Sequence, residues 1–135
     1  MRPRTPSDCI YWAVFLDEES DRLLDTRYVG DRLPNPVEDR HCTLAFRPRT
    51  VDRSAVGQDV TLTVTGYAND GNNQAVRVRL ETYAHLCENE QPHITLSLGP
   101  EGKAVDSGRL TFAPTEEMTL RGRIGRYTRR GIEWE

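Results

Sequence analysis

The sequence lacks the features of several protein classes. It has 135 residues and no apolar run near the roughly 20 residues that cross a bilayer, so we expect no membrane-spanning helix. Residues 1–9 are polar and predict no signal peptide. The three cysteines, Cys9, Cys42 and Cys87, are odd in number and irregularly spaced, which argues against a disulfide framework and predicts a reducing, cytoplasmic environment. A net charge of −3 does not by itself recruit nucleic acid.

The length predicts a single domain over residues 1–135, large enough to bury a hydrophobic core, and we expect a monomer. One segment, residues 18–28, has the pattern of an amphipathic helix with acidic residues at its start. Residues 30–39 and 99–108 are predicted loops, and the NDGNN sequence at 69–73 predicts a hairpin turn. The predicted strands are residues 9–16, 41–46, 58–68, 74–80, 93–98 and 117–128.

Histidine is scarce, and two of the three histidines stand in the same short motif. His41-Cys42-Thr43-Leu44 lies in the run HCTLAF, and His93-Ile94-Thr95-Leu96 lies in the run HITLSL. Residues i and i+2 of a strand share a face, so each motif places an imidazole beside a hydroxyl. Two such pairs facing one cleft supply two proton-transfer groups and two hydrogen-bond donors, enough to break a phosphodiester without a metal. The alternative is that both histidines are satisfied strand residues and both threonines reflect β-propensity.

These motifs resemble the two His-x-Thr motifs of the 2H phosphoesterase superfamily, especially those of 2′,3′-cyclic-nucleotide 3′-phosphodiesterases and the cyclic phosphodiesterase domains of tRNA ligases. The strand YWAVFL before a helix, the run PHITLSLG and the run MTLRGRIGRYT extend the resemblance. It implies an α+β fold of two lobes, strand-rich with few short helices, in which two antiparallel sheets form a concave cleft. Residues 82–91 stand where relatives have a helix, so that helix is expected to be short or absent. Gln91 and Pro92 stand where relatives often have a basic residue.

The resemblance also implies a metal-independent reaction that needs no cofactor. The substrate would be a 2′,3′-cyclic phosphate at an RNA end or in a nucleotide, and the product a 2′-phosphate. His93 would activate water as the base, and His41 would protonate the 3′ oxygen as the acid. The residues alone do not fix these roles, and the reverse assignment gives a 3′-phosphate. Thr43 and Thr95 would donate hydrogen bonds to phosphate oxygens.

Three residues are candidates for substrate binding. Tyr11 and Phe46 match family aromatics that contact ribose or base, although both could equally pack in the core. Lys103 follows the second motif and could reach a phosphate, or it could be a solvated loop lysine. Arg121 and Arg123 share a strand face that could follow an RNA backbone or simply be exposed to solvent.

Other functions remain open at this point. The enzyme could degrade a cyclic oligonucleotide signal or an ADP-ribose 1″,2″-cyclic phosphate. The chain could instead be a non-catalytic module that binds RNA ends or nucleotides. A zinc site is a further alternative, since histidine and cysteine ligands are available, but no C-x2-C or H-x3–5-H spacing is present and Cys42 should point away from His41.

Overall fold

The computed structural model describes residues 9–135 and shows a strand-rich fold with one α-helix among them. Residues 1–8, on which the prediction about a signal peptide rests, lie outside the described part of the chain. The predicted helix and strands are confirmed, with small shifts at their ends. The elements are β1 (Tyr11–Leu16), α1 (Glu18–Tyr28), β2 (Asn35–Pro36), β3 (His41–Phe46), β4 (Asp59–Asn69), β5 (Asn73–Leu80), β6 (His93–Leu98), β7 (Ala113–Thr128) and β8 (Gly131–Glu133).

The strands form one antiparallel sheet, six strands of which close into a barrel. The order is β1–β3–β6–β5–β4–β7, and β7 pairs back onto β1; β2 pairs with β6, and β8 with β7. Closure depends on β7, which pairs with β4 from Ala113 to Arg123 and with β1 from Gly122 to Tyr127. The two separate sheets that we expected are therefore hydrogen-bonded into one. The sequence predicted only residues 117–128 of β7, because the segment before them lacks apolar alternation.

The predicted loops contain short ordered pieces. Residues 30–39 include β2, and residues 99–108 run into a 3-10 helix at Ala104–Arg109. Residues 82–91 hold only a 3-10 turn, Ala84–Leu86, in keeping with the expected loss of a helix. In the hairpin turn, Gly71 has a φ of 87°, which favours glycine, and the Asp70 carboxylate accepts hydrogen bonds from the Asn72 and Asn73 amides.

Helix α1 begins at a well-formed cap and packs one face into the core. The Asp17 carboxylate accepts a hydrogen bond of 2.8 Å from the Ser20 amide. Ser20, Leu24 and Tyr28, spaced by one helical turn, are the buried residues of the helix. Leu24 and Tyr28 join a core to which the strands contribute alternate residues, among them Val14, Cys42, Leu44, Ile94, Leu96, Leu120 and Ile124. The opposite faces of the motif strands are therefore left free to line a cleft.

Candidate active site

The two His-x-Thr motifs lie side by side on neighbouring strands. β3 and β6 are antiparallel, and their register is set by the pair Cys42–Ile94, the central residues of the two motifs. Both central residues are fully buried, so they point into the core. The flanking histidines and threonines therefore share the other face, and the antiparallel direction puts each histidine beside the threonine of the opposite motif. The result is an approximately two-fold arrangement of two imidazoles and two hydroxyls.

Both imidazoles are held by the same kind of contact. His41 Nδ1 lies 2.8 Å from the carbonyl oxygen of Asp39, and His93 Nδ1 lies 2.8 Å from that of Gln91. A carbonyl can only accept, so Nδ1 carries a proton in each ring and Nε2 remains available for proton transfer. Asp39 has a φ of 49°, a left-handed conformation that an aspartate tolerates better than most residues. Each motif thus carries its own orienting carbonyl two residues before the histidine.

These side chains open into a cavity of about 500 Å³, a volume suited to a nucleotide-sized ligand. The cavity is mostly apolar, and among residues 9–135 no lysine or arginine lines it. The lining consists of Tyr11, Val37, His41, Thr43, Phe46, Asn89, His93, Thr95, Ala104 and Val105. Six of the seven residues predicted for the site are therefore gathered here.

Phe46 reaches the cavity because β3 contains an irregularity. In a regular strand, Phe46 would face away from His41 and Thr43. Between the pairs Trp12–Ala45 and Ala13–Thr43, however, β3 has one extra residue, Leu44. This bulge turns Phe46 to the face of the motif. Phe46 is 68% exposed and is therefore not a core residue; the guanidinium of Arg47 lies over one face of its ring, 5.6 Å from the centroid.

Tyr11 lines the cavity, but its ring is already occupied on both sides. It stacks on His41 and on Tyr127 with centroid distances of 4.9 Å in each case. Since β3 and β7 flank β1 on opposite sides, Tyr11 is sandwiched between the two rings. Burial raises the pKa of its phenol to about 12, so the hydroxyl stays protonated at neutral pH. Tyr11 therefore supports His41 and can offer only its hydroxyl to a ligand.

Lys103 is the predicted residue that the fold leaves out. It is exposed and does not line the cavity; its contribution to the site is its backbone carbonyl, which accepts a hydrogen bond from Asn73. A different cationic residue is a direct neighbour of a motif histidine in the sheet, because Arg77 on β5 pairs with His93 on β6. Its Nε donates to the Thr65 hydroxyl at 3.2 Å, and it does not line the cavity either.

Burial also affects the titration of the first motif histidine. Desolvation lowers the pKa of His41 and the nearby His93 adds to this, while the carbonyl and carboxylate of Asp39 oppose it. The neutral imidazole is thus favoured at His41 in the unliganded protein.

Several residues that support the motifs could not be predicted from the sequence. Arg40, beside His41, is buried, and its guanidinium donates to Asp21 at 3.0 Å, to Asp25 at 2.6 Å and to the Leu96 carbonyl at 3.0 Å. This one side chain ties α1 to both motif strands. The spacing of the two aspartates by one helical turn was visible in the sequence, but nothing there linked them to Arg40.

A second supporting group lies in the segment where a helix was expected. The amide of Asn89 donates to the Thr43 carbonyl at 3.1 Å, and the Cys87 thiol lies 3.6 Å from the same oxygen. The Cys42 thiol donates a hydrogen bond to the Cys87 sulfur, which lowers the pKa of Cys87 to about 7 and raises that of Cys42. This segment therefore packs against β3 and completes one wall of the cavity.

Within residues 9–135, no group of three or more histidine, cysteine, aspartate or glutamate side chains is placed to hold a metal ion. In the same range, no helix has the length and apolar character needed to cross a membrane.

Comparison with known proteins gives a likeness in structure alone. No protein-family model matches the chain, and a search of curated proteins found no match. Among solved structures, the chain is similar to one described as the crystal structure of a fungal RNA kinase, with a TM-score of 0.59 and 11% sequence identity. The match covers 90% of this chain and 43% of the kinase chain, so this chain spans less than half the length of that protein. At this identity the likeness establishes a shared fold.

Proposed function

We propose that this protein is a metal-independent cyclic phosphodiesterase of the 2H type. In this proposal the two motifs come from the two halves of the domain, and the protein hydrolyses a 2′,3′-cyclic phosphate at an RNA end or in a nucleotide to a 2′-phosphate. The observation that carries the proposal is the pairing of the motifs about Cys42 and Ile94. It brings two imidazoles and two hydroxyls to one face and into one cavity.

The reaction needs only groups that are present. A neutral imidazole removes a proton from water, and the oxygen of that water forms a bond to phosphorus. The bond from phosphorus to the 3′ oxygen breaks, and the protonated imidazole delivers its proton to that oxygen. The products are a 2′-phosphate monoester and a 3′-hydroxyl. Thr43 and Thr95 donate hydrogen bonds to the non-bridging oxygens as their charge is redistributed.

His41 and His93 can be assigned the roles of acid and base in two ways. The family resemblance implies that His93 is the base and His41 the acid, which gives a 2′-phosphate. The lowered pKa of His41 favours its neutral form, which suits a base and would give a 3′-phosphate. A bound phosphate raises the pKa of a nearby imidazole, so the unliganded pKa does not decide the matter. We retain the 2′-phosphate assignment, and the identity of the product tests it.

The lining of the cavity favours a ligand with a single negative charge at the reacting centre. Among residues 9–135 no lysine or arginine lines it, so phosphate binding falls to the threonine hydroxyls and the one protonated imidazole. A cyclic diester carries one charge, whereas the monoester product approaches two at neutral pH. The product should therefore be held less tightly than it would be in a cationic site.

RNA is the preferred source of the cyclic phosphate. The exposed ring of Phe46 offers a stacking surface at the cavity rim, and base stacking of this kind tolerates any base and contributes about 1–3 kcal/mol. The likeness to a fungal RNA kinase supports the same choice.

The test is a turnover panel in the presence of EDTA, with products separated by chromatography. The substrates are an RNA oligonucleotide ending in a 2′,3′-cyclic phosphate, a 2′,3′-cyclic mononucleotide, a cyclic dinucleotide and ADP-ribose 1″,2″-cyclic phosphate. We expect the first to be hydrolysed most efficiently, to a 2′-phosphate. Faster hydrolysis of the cyclic dinucleotide would show that a cyclic oligonucleotide, and not an RNA end, is the substrate. Binding of RNA without any turnover would show that the protein is a binding module and not an enzyme.

A further inference from the structure

The hydroxyl of Thr95 differs from that of Thr43 in what surrounds it. Thr95 is 9% exposed, and its Oγ1 is hydrogen-bonded to the hydroxyl of Ser107, at 2.8 Å. Ser107 is fully buried in the 3-10 helix Ala104–Arg109, which packs behind the second motif. Within residues 9–135, the hydroxyl of Thr43 has no comparable partner. One of the two phosphate-donor candidates is therefore supported from behind.

The chain of hydrogen bonds continues to Asn73 at the start of β5. The side-chain nitrogen of Asn73 donates to the Lys103 carbonyl at 2.7 Å and to the Ser107 hydroxyl at 2.9 Å. A carbonyl cannot donate, so the amide of Asn73 must present its nitrogen to this side. Asn73 is 2% exposed, so solvent does not compete for these bonds.

In the unliganded protein Ser107 Oγ accepts hydrogen bonds from both Asn73 and Thr95 Oγ1, and an anion bound in the cavity would reverse the bond between the two hydroxyls. Because Ser107 accepts from Asn73, the Ser107 proton is free to be donated to Thr95 Oγ1. Thr95 then accepts from behind and turns its own proton toward the cavity. Both groups are hydroxyls, so each can donate or accept, and a bound anion favours this reversed direction, in which successive bonds polarise one another.

We propose that Asn73 and Ser107 are positioning residues that orient the Thr95 hydroxyl as a hydrogen-bond donor to a phosphate oxygen. This inference rests on the proposed function. Neither residue touches the substrate; both act through Thr95. Donors that are already oriented toward developing charge need no reorganisation during the reaction, which is why such an arrangement raises kcat more than it lowers KM.

A pair of double-mutant cycles tests the proposal. Thr95→Val should lower kcat about 10- to 100-fold and Ser107→Ala about 3- to 10-fold, with little change in KM. If Ser107 acts through Thr95, Ser107→Ala should have no further effect in the Thr95→Val background. In the Thr43→Val background the fold-losses of the two substitutions should multiply, because the Thr43 hydroxyl is not part of this series of hydrogen bonds. Multiplying effects in both backgrounds would indicate a merely structural role and overturn the proposal.

A conservative variant provides a second readout. Thr95→Ser keeps the hydroxyl, so Ser107→Ala should still lower kcat in that background. Thermal unfolding of each variant checks that the fold is retained. If Ser107→Ala fails to fold, Asn73→Leu enters the same two cycles, and the same pattern is expected because it removes the bond that fixes Ser107.

Binding of adenosine 2′-monophosphate, measured by calorimetry, separates this inference from the proposed function. Turnover by the wild type with multiplying effects in the Thr95 cycle overturns the inference and leaves the function standing. A second outcome is that the wild type shows no turnover, and Ser107→Ala weakens binding of the monophosphate in the wild-type background but not in the Thr95→Val background. That outcome overturns the proposed function and supports the orientation of the Thr95 hydroxyl by Ser107. Absence of both turnover and coupled binding overturns both.

Discussion

Gly108 is the point at which a single methyl group should disturb the chemistry without disturbing the fold. A Cβ at this position would lie 3.2 Å from Cε1 and 3.7 Å from Nδ1 of His93. Ordinary carbon contacts are about 3.5–4.0 Å, so either the His93 ring or the backbone at residue 108 must move by a few tenths of an ångström. Neither the ring nor the backbone moves freely. His93 Nδ1 is held by the backbone carbonyl of Gln91 at 2.8 Å, and the side-chain amide of Gln91 donates to the Gly108 carbonyl at 3.0 Å.

We therefore expect Gly108→Ala to lower kcat about 3- to 10-fold, since a displacement of about 1 Å in a catalytic group can cost about 100-fold and this one is smaller. The melting temperature should change by no more than a few degrees. Steady-state hydrolysis of a 2′,3′-cyclic phosphate and thermal unfolding measure the two effects. Gly30→Ala is the matched control, because a Cβ there meets nothing within 4 Å. Equal kcat values for both variants and the wild type would refute the placement of His93 against the 3-10 helix Ala104–Arg109.

Three other predictions follow from the surroundings of the site. Arg40→Met should lower the free energy of unfolding, measured in urea, by about 2–4 kcal/mol, somewhat less than for a fully buried ion pair because its carboxylate partners are half-exposed. The control Arg22→Met removes an exposed ion pair and should lower it by about 0–1 kcal/mol. Equal losses in the two variants would contradict the anchoring role of Arg40. Alkylation of Cys87 by iodoacetamide should accelerate as pH rises through about 7, and Cys42→Ala should move that midpoint upward by removing the donated hydrogen bond; an unchanged midpoint would rule that bond out as the cause. The pH profile of kcat/KM should be bell-shaped, with the limb set by His41 in the free enzyme below its ordinary value of about 6.5, because burial lowers that pKa; a rate that only rises with pH would contradict two-histidine catalysis.

The parts of the fold that depend on local pattern could be predicted from the sequence. The helix over 18–28 was predicted from its acidic start and its apolar spacing, and the structure has it at Glu18–Tyr28. The strands carrying the motifs were predicted at residues 41–46 and 93–98 and lie at His41–Phe46 and His93–Leu98. The pairing of histidine with threonine on one face follows from the alternation of a strand alone.

What the sequence could not supply depends on contacts between distant segments. Barrel closure requires β7 to pair with both β4 and β1, and no local pattern reports a partner. The register that brings the motifs together is set by one pair, Cys42–Ile94, 52 residues apart in the chain. The bulge at Leu44, which explains why Phe46 faces the cavity, is also a property of pairing.

The supporting residues were missed for a similar reason. Ser107 lies in a segment predicted as loop, where a buried serine looks like any solvated one. Asn73 lies at the end of a hairpin turn, and its sequence context predicts only the turn. Lys103 is the only lysine in the chain and follows the second motif, and its side chain is not among those that line the cavity.

In the proposed function, His41 and His93 together break a cyclic phosphodiester. Its most direct test is the rate at which an RNA oligonucleotide ending in a 2′,3′-cyclic phosphate is hydrolysed in EDTA by the wild type and by His41→Ala, His93→Ala and His85→Ala. The exposed His85 is the matched control. We expect a loss of at least about 100-fold in kcat for each motif variant, with its fold intact, and a rate near that of the wild type for the control. Equal losses in all three variants, or activity that EDTA abolishes and one metal restores, would contradict it.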